Sequence, residues 1–556
     1  MSLGATSVLG DNFQPPHHNC TFHSLPLSPY HLSLLAVPFF CFGFPPRPAF
    51  DFGRTRIHGH RSVRGSMMQY WLDHSNEGTI QEMMLDSEAE TLSEDEQAEI
   101  LGLLPSLDGL RVLELGAGIG RFTGAIADTA EHVTAVDFME KFLLENKAKN
   151  GTRTNVKFEQ ADVTNLSYPN NSFHLVFSNW LFMYLAEDEL KALADKILCW
   201  LRPGGYLFFR ESCFQQSGNA ERDFNPTIYR TPADYNHIME EASDELEVPG
   251  GERHGFDLVM SKSVQVYVEM RNNRYQLCWL MQKTCRKANN GSMQKFLDTR
   301  QYHRNSILRY ERVFGRGFIS SGGIESTKEI LSQLNLQPGE RVLDVGCGIG
   351  GGDFYMAKTF GVDVLGIDLS SNMVEIALER SREENTPRVQ FEVCDATKRE
   401  FREGMFDVIY SRDTILHISD KLALLQKFHK WLKPGGRILI TDYCCGDRPW
   451  SDGFSTYVKE RGYALCTVSA YGKTLQDAGF SEVQATDLTS KFVKCLHKEL
   501  ACVETIREGF VKDFSQAGYD EIVNVWRQKA ERCAAGEQKW GMLLGTKPTL
   551  NNNQTI

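Results

Sequence analysis

Two glycine-rich stretches decide the fold. Residues 111–120 read RVLELGAGIG and residues 341–350 read RVLDVGCGIG. In each stretch a short apolar run carrying one acidic residue, Glu114 or Asp344, leads directly into the glycines. A glycine-rich turn between a strand and a helix lets the backbone approach a ligand, with amides at the helix N-terminus facing it. The sequence therefore predicts two nucleotide-binding loops in one chain.

The rest of the chain repeats in step with these loops. Four further pairs keep an offset of 231 to 233 residues: Asp137 with Asp368, Asp162 with Asp395, Ser178 with Ser411, and Pro203-Gly204-Gly205 with Pro434-Gly435-Gly436. Five collinear marks with so small a drift predict a tandem duplication.

Each copy alternates short β-branched runs with helix-like stretches, a pattern typical of a mainly parallel sheet flanked by helices. The predicted strands are Val112–Leu115, Val133–Val136, Val156–Glu159, Leu175–Ser178 and Tyr206–Glu211 in the first copy, and Val342–Val345, Val364–Ile367, Val389–Val393, Val408–Ser411 and Arg437–Asp442 in the second. Ser261–Tyr267 and Tyr275–Gln282 are predicted to close the first sheet. The predicted fold class is α/β, with two tandem Rossmann-like domains.

The predicted domain boundaries follow the repeat. The two domains occupy residues 67–285 and 301–548, with a polar linker over 286–300 and a tail over 549–556. Residues 1–66 hold 8 of the 19 prolines and read as a disordered or alternatively initiated extension, with an organelle-targeting segment as the alternative.

Composition narrows the partners. The chain of 556 residues has 60 Lys and Arg against 72 Asp and Glu, a net charge of −12. This balance argues against binding to nucleic acid or to an anionic membrane and favours a small-molecule substrate. The 14 cysteines show no metal-binding spacing, so we expect reduced thiols, no metal and a cytoplasmic location. No membrane span is expected; the oligomeric state is left open, with a monomer as the expectation.

Acidic residues at strand ends indicate what the loops bind. Asp137 and Asp368 end second strands, where a carboxylate accepts from ribose hydroxyls, and Asp162 and Asp395 end third strands, where an adenine amino group can be held. The alternative role for each carboxylate is to cap the following helix. The second loop also fits the dinucleotide pattern G-x-G-x-x-G, but the first has Arg121 at the third glycine, so a nicotinamide oxidoreductase is a distant alternative.

A sharper constellation follows the fourth strand of the second copy, where residues 411–417 read SRDTILH. Asp413 and His417 are four residues apart and would share one face of a helix. Such a histidine can accept a proton from an amine or bind the substrate; the alternative is a structural histidine at a helix end. The first copy has Asn179, Trp180 and Tyr184 at the equivalent positions, so the two copies need not share a substrate.

Aromatic residues surround this constellation in the sequence. A tyrosine-rich pocket with a nearby arginine suits a ligand with an ammonium at one end and a phosphate at the other, through cation–π contact and a bidentate clamp. Aromatic residues at these spacings are also common in protein cores. The residues concerned are Tyr310, Tyr443, Tyr457, Arg461 and Tyr463.

On these motifs the sequence resembles the class I S-adenosylmethionine-dependent methyltransferases, and within them the phosphoethanolamine (phosphobase) N-methyltransferases, especially the tandem-domain plant form. The resemblance spans about residues 68 to 548. It is carried by Tyr70–Ser75, Leu113–Thr123, Ser178–Trp180, Phe209–Phe214, Ile307–Gly315, Val342–Met356, Tyr410–Ile418, Trp431–Gly436 and Gln538–Gly541.

The resemblance implies one S-adenosylmethionine per domain. The residues expected to hold it are Gly116, Gly118, Arg121, Asp137, Asp162, Val163 and Asn179 in the first copy, and Ser320, Ser321, Gly346, Gly348, Asp368, Asp395, Ala396 and Arg412 in the second.

The resemblance also implies the acceptor site. Tyr310 and His417 match a Tyr–His pair at the active-site entrance, and Asp413 matches a substrate-binding carboxylate beside it. The residues expected to hold the phosphobase are Phe318, Tyr443, Tyr457, Arg461, Tyr463 and Lys529 in the second copy, and Ser212, Ser217, Tyr229 and Arg230 in the first. Phe318 is a departure from the tyrosine of single-domain relatives, which puts one hydroxyl contact to the phosphate in doubt.

The expected activity is methylation of phosphoethanolamine to phosphocholine in three steps, for phosphatidylcholine synthesis. One rival is a lipid or quinone methyltransferase, which would need an apolar acceptor pocket in place of Arg461 and Lys529. Another is a first domain that binds the cofactor without turnover, as a regulatory module.

Overall fold

The computed structural model describes residues 63–73, 78–219, 225–244, 252–287, 292–384 and 386–549. The extension predicted over residues 1–66 lies outside this part of the chain except for its last four residues, which begin a helix. The predicted tail lies outside it except for residue 549.

The first copy begins with three helices and then alternates strands and helices. Its elements are α1 (Val63–Asp73), α2 (Ile80–Met84), α3 (Ala89–Leu103), β1 (Arg111–Leu115), α4 (Thr123–Ala127), β2 (His132–Asp137), α5 (Glu140–Asn150), β3 (Val156–Gln160), β4 (Phe173–Asn179), α6 (Glu187–Trp200), β5 (Leu201–Ser212), α7 (Pro232–Glu241), β6 (Glu252–Ser263), α8 (Gln265–Arg271) and β7 (Gln276–Lys287).

The second copy repeats this order and adds helices near its end. Its elements are α9 (Met293–Phe296), α10 (Arg304–Phe314), α11 (Gly323–Leu331), β8 (Arg341–Val345), α12 (Gly351–Phe360), β9 (Asp363–Asp368), α13 (Ser371–Glu384), β10 (Val389–Cys394), β11 (Phe406–Arg412), α14 (Lys421–Trp431), β12 (Leu432–Cys445), α15 (Asp452–Arg461), α16 (Val468–Asp477), β13 (Ser481–Asp487), α17 (Thr489–Thr505), α18 (Arg507–Phe514), α19 (Gln516–Ala534) and β14 (Gln538–Thr546).

The strands form one continuous sheet in the order β13-β14-β12-β11-β8-β9-β10-β6-β7-β5-β4-β1-β2-β3. In each half six strands point the same way and one, β7 or β14, runs antiparallel to its neighbours, and both halves have the same topology. The halves join where β10 pairs antiparallel with β6. The predicted α/β class and duplication are thus confirmed, and the ten predicted parallel strands lie within observed strands.

One predicted closing strand is partly wrong. The stretch Ser261–Tyr267 contains the end of β6 and the start of α8, although its alternating apolar residues favour a strand. The carboxylate of Glu99 accepts the backbone N–H groups of Gln265 and Val266 at 2.9 and 3.1 Å, which caps the N-terminus of α8. Since Glu99 lies far away in the sequence, the local pattern could not reveal this cap.

The segment predicted as a linker over 286–300 also differs from the expectation. Its start continues β7, and Met293–Gln301 is helical, ending in a π-helical turn over Leu297–Gln301. The carboxylate of Asp298 accepts the hydroxyls of Ser370 and Ser371 at 2.6 and 2.5 Å. The second half of the predicted linker therefore packs against the second copy.

Apolar side chains are buried on both faces of the sheet. On one face Trp279 of β7 stacks on Phe209 of β5 with ring centroids 4.7 Å apart, and on the other Phe208 stacks on Phe177 of β4 at 5.2 Å. Within the described residues, no helix combines the length and the apolar character needed to cross a membrane.

The glycine loop of the second copy yields a stability prediction. Gly346 and Gly339 have φ values of +86° and +82°, but a Cβ at Gly346 would lie 1.9 Å from the Thr414 hydroxyl, whereas one at Gly339 would meet nothing within 4 Å. We expect Gly339→Ala to destabilise by ~1–2 kcal/mol through its left-handed backbone, and Gly346→Ala by ~1–3 kcal/mol more through overpacking. Urea unfolding of both variants measures the difference, and equal losses would contradict the steric argument.

Candidate active sites

The glycine loop of each copy is tied to the end of the second strand by a carboxylate. Asp137 accepts the N–H of Gly118 on one oxygen and that of Met139 on the other, both at 2.8 Å. Asp368 accepts the N–H of Gly348 at 3.0 Å and that of Ser370 at 2.8 Å. Burial raises the pKa of both carboxyls to about 6, so both are ionised at neutral pH.

The carboxylates at the ends of the third strands are held by matching turns. One oxygen of Asp162 accepts the backbone N–H and the hydroxyl of Thr164 at 2.9 and 2.8 Å. One oxygen of Asp395 accepts the same two groups of Thr397 at 3.0 and 2.6 Å. The capping role considered from the sequence is therefore present in both copies.

A cavity lies at each glycine loop, with volumes of about 120 Å³ in the first copy and 410 Å³ in the second. Nearly all residues predicted to hold the cofactor line these cavities. They are Gly116, Gly118, Arg121, Asp137, Asp162, Val163 and Asn179 in the first, and Ser320, Gly346, Gly348, Asp368, Asp395, Ala396 and Arg412 in the second.

Ser321 is the exception, because it is fully buried and outside the lining of the cavity. Its carbonyl accepts the Arg412 guanidinium at 2.5 Å, and the same guanidinium donates to the hydroxyl of Thr327. Arg412, which lines the cavity, therefore fixes the turn at Ser320 and Ser321.

The second cavity continues from the cofactor residues to the predicted acceptor residues. Every catalytic and substrate-binding residue predicted for the second copy lines it. These residues are Tyr310, Phe318, Asp413, His417, Tyr443, Tyr457, Arg461, Tyr463 and Lys529. Residues from α10, the loop after β11, β12, α15 and α19 thus meet in one pocket.

The Asp413–His417 pair does not lie on one face of an α-helix, and this prediction is wrong. Asp413 has a left-handed backbone with φ of +54°, and only Ile415–His417 form a short 3-10 helix. The Asp413 N–H donates to the carbonyl of Thr441 at 2.7 Å, which sets this turn. Both side chains nonetheless line the cavity, because the turn brings them to the same end of the sheet.

Both groups keep unpartnered polar atoms. One Asp413 oxygen accepts the indole N–H of Trp540 at 2.7 Å, while the other has no hydrogen-bond partner among the described residues. Neither ring nitrogen of His417 has one. Burial, together with the charges of Lys421 and Arg461, lowers the pKa of His417 to about 4, so the imidazole is neutral. A neutral imidazole offers an acceptor to the pocket.

One wall of the pocket is cationic and aromatic. The Lys529 ammonium lies 4.6 Å from the ring centre of Trp526 and 3.4 Å from the hydroxyl of Tyr443. Burial lowers the pKa of Lys529 to about 8. The ring of Tyr463 lies 5.1 Å from that of His417 and 5.7 Å from that of Tyr457. Two cations and several tyrosines can therefore contact one small anion.

Two residues that line this pocket and one that lies behind Asp413 were not predicted from the sequence. Gln301 and Tyr302 line it, and the Tyr302 ring lies edge-on to His417 at 6.5 Å, but both follow directly on the segment predicted as a linker. Trp540, which holds Asp413, lies in a stretch that carries the family resemblance. That resemblance was the available signal for its role.

The first cavity has a different acceptor end. Ser217 lines it, but Ser212, Tyr229 and Arg230 do not. Ser212 donates to the Gln276 side chain at 2.9 Å, and Tyr229 accepts from Asn225 at 2.9 Å.

Arg230 is buried and donates to the carbonyls of Phe182 and Leu185 at 3.0 and 2.7 Å. Among the described lining residues Arg121 is the one Lys or Arg of this cavity, and it pairs with Glu96 at 2.5 Å. The described part of the first copy therefore lacks the cationic wall of the second.

The topology and the two cavities define the class of protein. Each cavity lies at the carboxyl ends of parallel strands, with a glycine loop after the first strand and carboxylates after the second and third, as a nucleoside ligand requires. These residues fit S-adenosylmethionine, whose ribose and adenine would be held by the two carboxylates. The chain is a class I S-adenosylmethionine-dependent methyltransferase with two cofactor pockets.

Comparisons with known proteins agree. Residues 112–205 and 336–485 each match a model of a methyltransferase domain. Phosphoethanolamine N-methyltransferase 3 of Arabidopsis thaliana is 51% identical over 480 residues, which cover 86% of this chain and 97% of that protein. A phosphoethanolamine N-methyltransferase of Triticum aestivum is 50% identical over 488 residues, covering 87% of this chain and 95% of that protein.

A solved structure is also similar. Phosphoethanolamine N-methyltransferase 2 of Haemonchus contortus, in complex with phosphomonomethylethanolamine and S-adenosylhomocysteine, has a TM-score of 0.67 and 27% identity, and the match covers 82% of this chain and 99% of that one. The chain belongs to the phosphoethanolamine N-methyltransferase family.

The carboxylates at the second strands predict a pH dependence of cofactor binding. A carboxyl with pKa about 6 loses its charge as pH falls, and with it the acceptor for the ribose hydroxyls. We expect the Kd of S-adenosylhomocysteine to rise ~10-fold between pH 7.5 and 5.0. Calorimetric titration measures it. The double variant Asp137→Asn/Asp368→Asn should bind S-adenosylhomocysteine weakly at every pH. A Kd that does not change with pH in the unsubstituted chain would contradict the role of the two carboxylates in ribose binding.

Proposed function

We propose that the second pocket methylates the amine of phosphoethanolamine and its methylated forms, and that Arg461 and Lys529 hold the phosphate. The observation that carries this proposal is a single cavity with cofactor residues at one end and, at the other, two cations facing an unpartnered carboxylate oxygen and a neutral imidazole. A phosphate and an ammonium on one small molecule match these charges.

The phosphate end restrains the substrate without taking part in bond making. The Arg461 and Lys529 side chains, with hydroxyls from the pocket tyrosines, can donate to several phosphate oxygens. A dianion would also keep Lys529 protonated above its pKa of about 8, because opposite charge stabilises the ammonium. Fixing the phosphate leaves the amine one orientation, toward Asp413 and His417.

The amine end has to manage a proton. S-adenosylmethionine supplies an electrophilic methyl group, and an amine attacks it only after losing its proton. Transfer from an amine of pKa ~10 to an imidazole of pKa about 4 would cost ~8 kcal/mol. The Arg461 charge is one cause of that low pKa, so a bound phosphate that neutralises Arg461 raises the basicity of His417. His417 is proposed to orient the amine and to receive its proton.

The rival functions find less support. A lipid or quinone acceptor would leave the partly buried charges of Lys529 and Arg461 without an anion, which is costly. A non-catalytic first copy is the second candidate, favoured by the lack of an Asp–His pair and of a cationic wall in its described residues. We propose instead that the first copy adds the first methyl group and the second copy adds the later ones.

The location, the domain division and the oligomeric state are also proposals. We assign the enzyme to the cytoplasm from its cysteine usage, since the 14 cysteines show no metal-binding spacing and are expected to be reduced thiols. We propose two domains that correspond to the two sheet halves, and a monomeric chain.

Variants of His417 test its role. We expect His417→Ala to lower turnover of the dimethyl substrate by ~10²–10⁴-fold, the usual range for loss of a general base. His417→Gln keeps an acceptor but cannot take a proton, so it should be as slow as His417→Ala. Arg461→Ala should act mainly on KM, because a phosphate clamp is equally strong in ground and transition states. Steady-state kcat and KM of the three variants distinguish these roles. Near-normal turnover of His417→Gln would show that His417 orients the amine without receiving its proton.

A second pair of variants tests the division of labour. At limiting cofactor, Asp137→Ala should slow the first methylation ~10- to 150-fold while conversion of the monomethyl substrate continues, and Asp368→Ala should do the reverse. Each change removes a charged hydrogen bond to ribose worth ~1.5–3 kcal/mol. Mass-resolved product analysis in the full chain separates the steps. If either variant stopped all three in a folded protein, the two-site assignment would fail.

A further inference from the structure

The cofactor pocket of the second copy lies next to the junction between the two copies. The strand β10, which delivers Asp395 to that pocket, pairs with β6 of the first copy through Glu392 with Lys262 and Cys394 with Met260. One residue beyond the end of β10, the N–H of Asp395 donates to the carbonyl of Val259 at 3.1 Å. The pairing between the copies therefore extends to the residue expected to hold the adenine.

A side chain strengthens the same corner. The Lys398 ammonium lies 2.7 Å from a carboxylate oxygen of Asp257 on β6 and 3.6 Å from the free oxygen of Asp395. All three side chains are partly buried. We call Asp257, Val259, Asp395 and Lys398 the junction corner.

The first copy has the same turn without this support. Asp162-Val163-Thr164-Asn165 matches Asp395-Ala396-Thr397-Lys398, and both turns use the same threonine hydrogen bonds. Asn165 replaces the lysine. The strand β3, which delivers Asp162, is the outermost strand of the described sheet, so no strand from the other copy covers it.

Ion pairs and apolar contacts surround the junction corner where β6 meets β10. The Glu392 carboxylate, buried on β10, accepts from Arg399 at 2.7 Å, and Lys262 opposite it pairs with Glu99 at 2.9 Å. Val259 and Met260 of one copy share an apolar cluster with Cys394 and Ala396 of the other. Buried pairs and apolar packing hold the strands in one register.

We propose that Asp257 and Lys398 are positioning residues through which the first copy sets the cofactor affinity of the second. Asp257, on the first copy, holds Lys398, and Lys398 holds the Asp395 carboxylate in place for the adenine. The inference rests on the cofactor pocket of the second copy and not on the identity of the methyl acceptor.

The test measures the two pockets separately in the full chain. Asp137→Ala removes a ribose contact from the first pocket. In this background the remaining tight binding of S-adenosylhomocysteine gives the Kd of the second pocket. In the same way, Asp368→Ala leaves the Kd of the first pocket to be measured. We expect Asp257→Asn to raise the Kd of the second pocket ~2- to 5-fold, as for a partly buried ion pair, and to leave the Kd of the first unchanged. Asp257→Glu should restore it.

Two controls separate positioning from general destabilisation. Asp363→Asn breaks an exposed ion pair with Arg388, at 2.9 Å, near the other end of β10, and should change neither Kd. Asp257→Asn/Lys398→Met should be no weaker than Lys398→Met alone, because both changes break the same contact. An unchanged Kd of the second pocket in Asp257→Asn, or an equal rise in both pockets, would overturn the proposal.

Discussion

One carboxylate in each copy, at the end of the second strand, joins the glycine loop to the start of the next helix. Asp137 and Asp368 each accept one N–H from the glycine loop and one from the residues that lead into the next helix. These hydrogen bonds connect loop, strand and helix beside the cavity in which the nucleoside would bind. Both copies keep this arrangement, whereas their acceptor ends differ, so the duplication retained cofactor binding and allowed the acceptor chemistry to diverge.

The sequence predicts best what the backbone pattern alone determines. Short β-branched strands, glycine turns and strand-end carboxylates appear where predicted, because each depends on neighbours within a few residues. Contacts between distant residues were beyond reach. Glu99 caps α8 from 166 positions away, and Trp540 holds Asp413 from 127 positions away. The Asp413–His417 spacing suggested a helix, but a left-handed turn brings both groups to the pocket instead.

The family resemblance predicted the residues around the acceptor end of the cavity better in the second copy than in the first, for a physical reason. In the second copy the predicted acceptor residues come from five separate elements and still meet in one cavity. In the first copy Arg230 matches an acceptor loop by sequence, yet its guanidinium is used by two backbone carbonyls. An arginine in a loop motif can hold a ligand or the loop itself, and only the surrounding carbonyls decide which.

The antiparallel pairing of β6 with β10 affects how a product could pass from one pocket to the other. The strands β5, β7, β6 and β10 alternate in direction. The parallel strands of the two copies therefore point in opposite directions, and their carboxyl ends lie on opposite sides of the sheet. Their first strands, β1 and β8, are seven positions apart, or ~34 Å at the usual strand spacing. The cavities share no lining residue. If the two copies share the methylations as proposed, a partly methylated product of one pocket would have to leave it and pass through water to reach the other, where it would compete with unmethylated substrate.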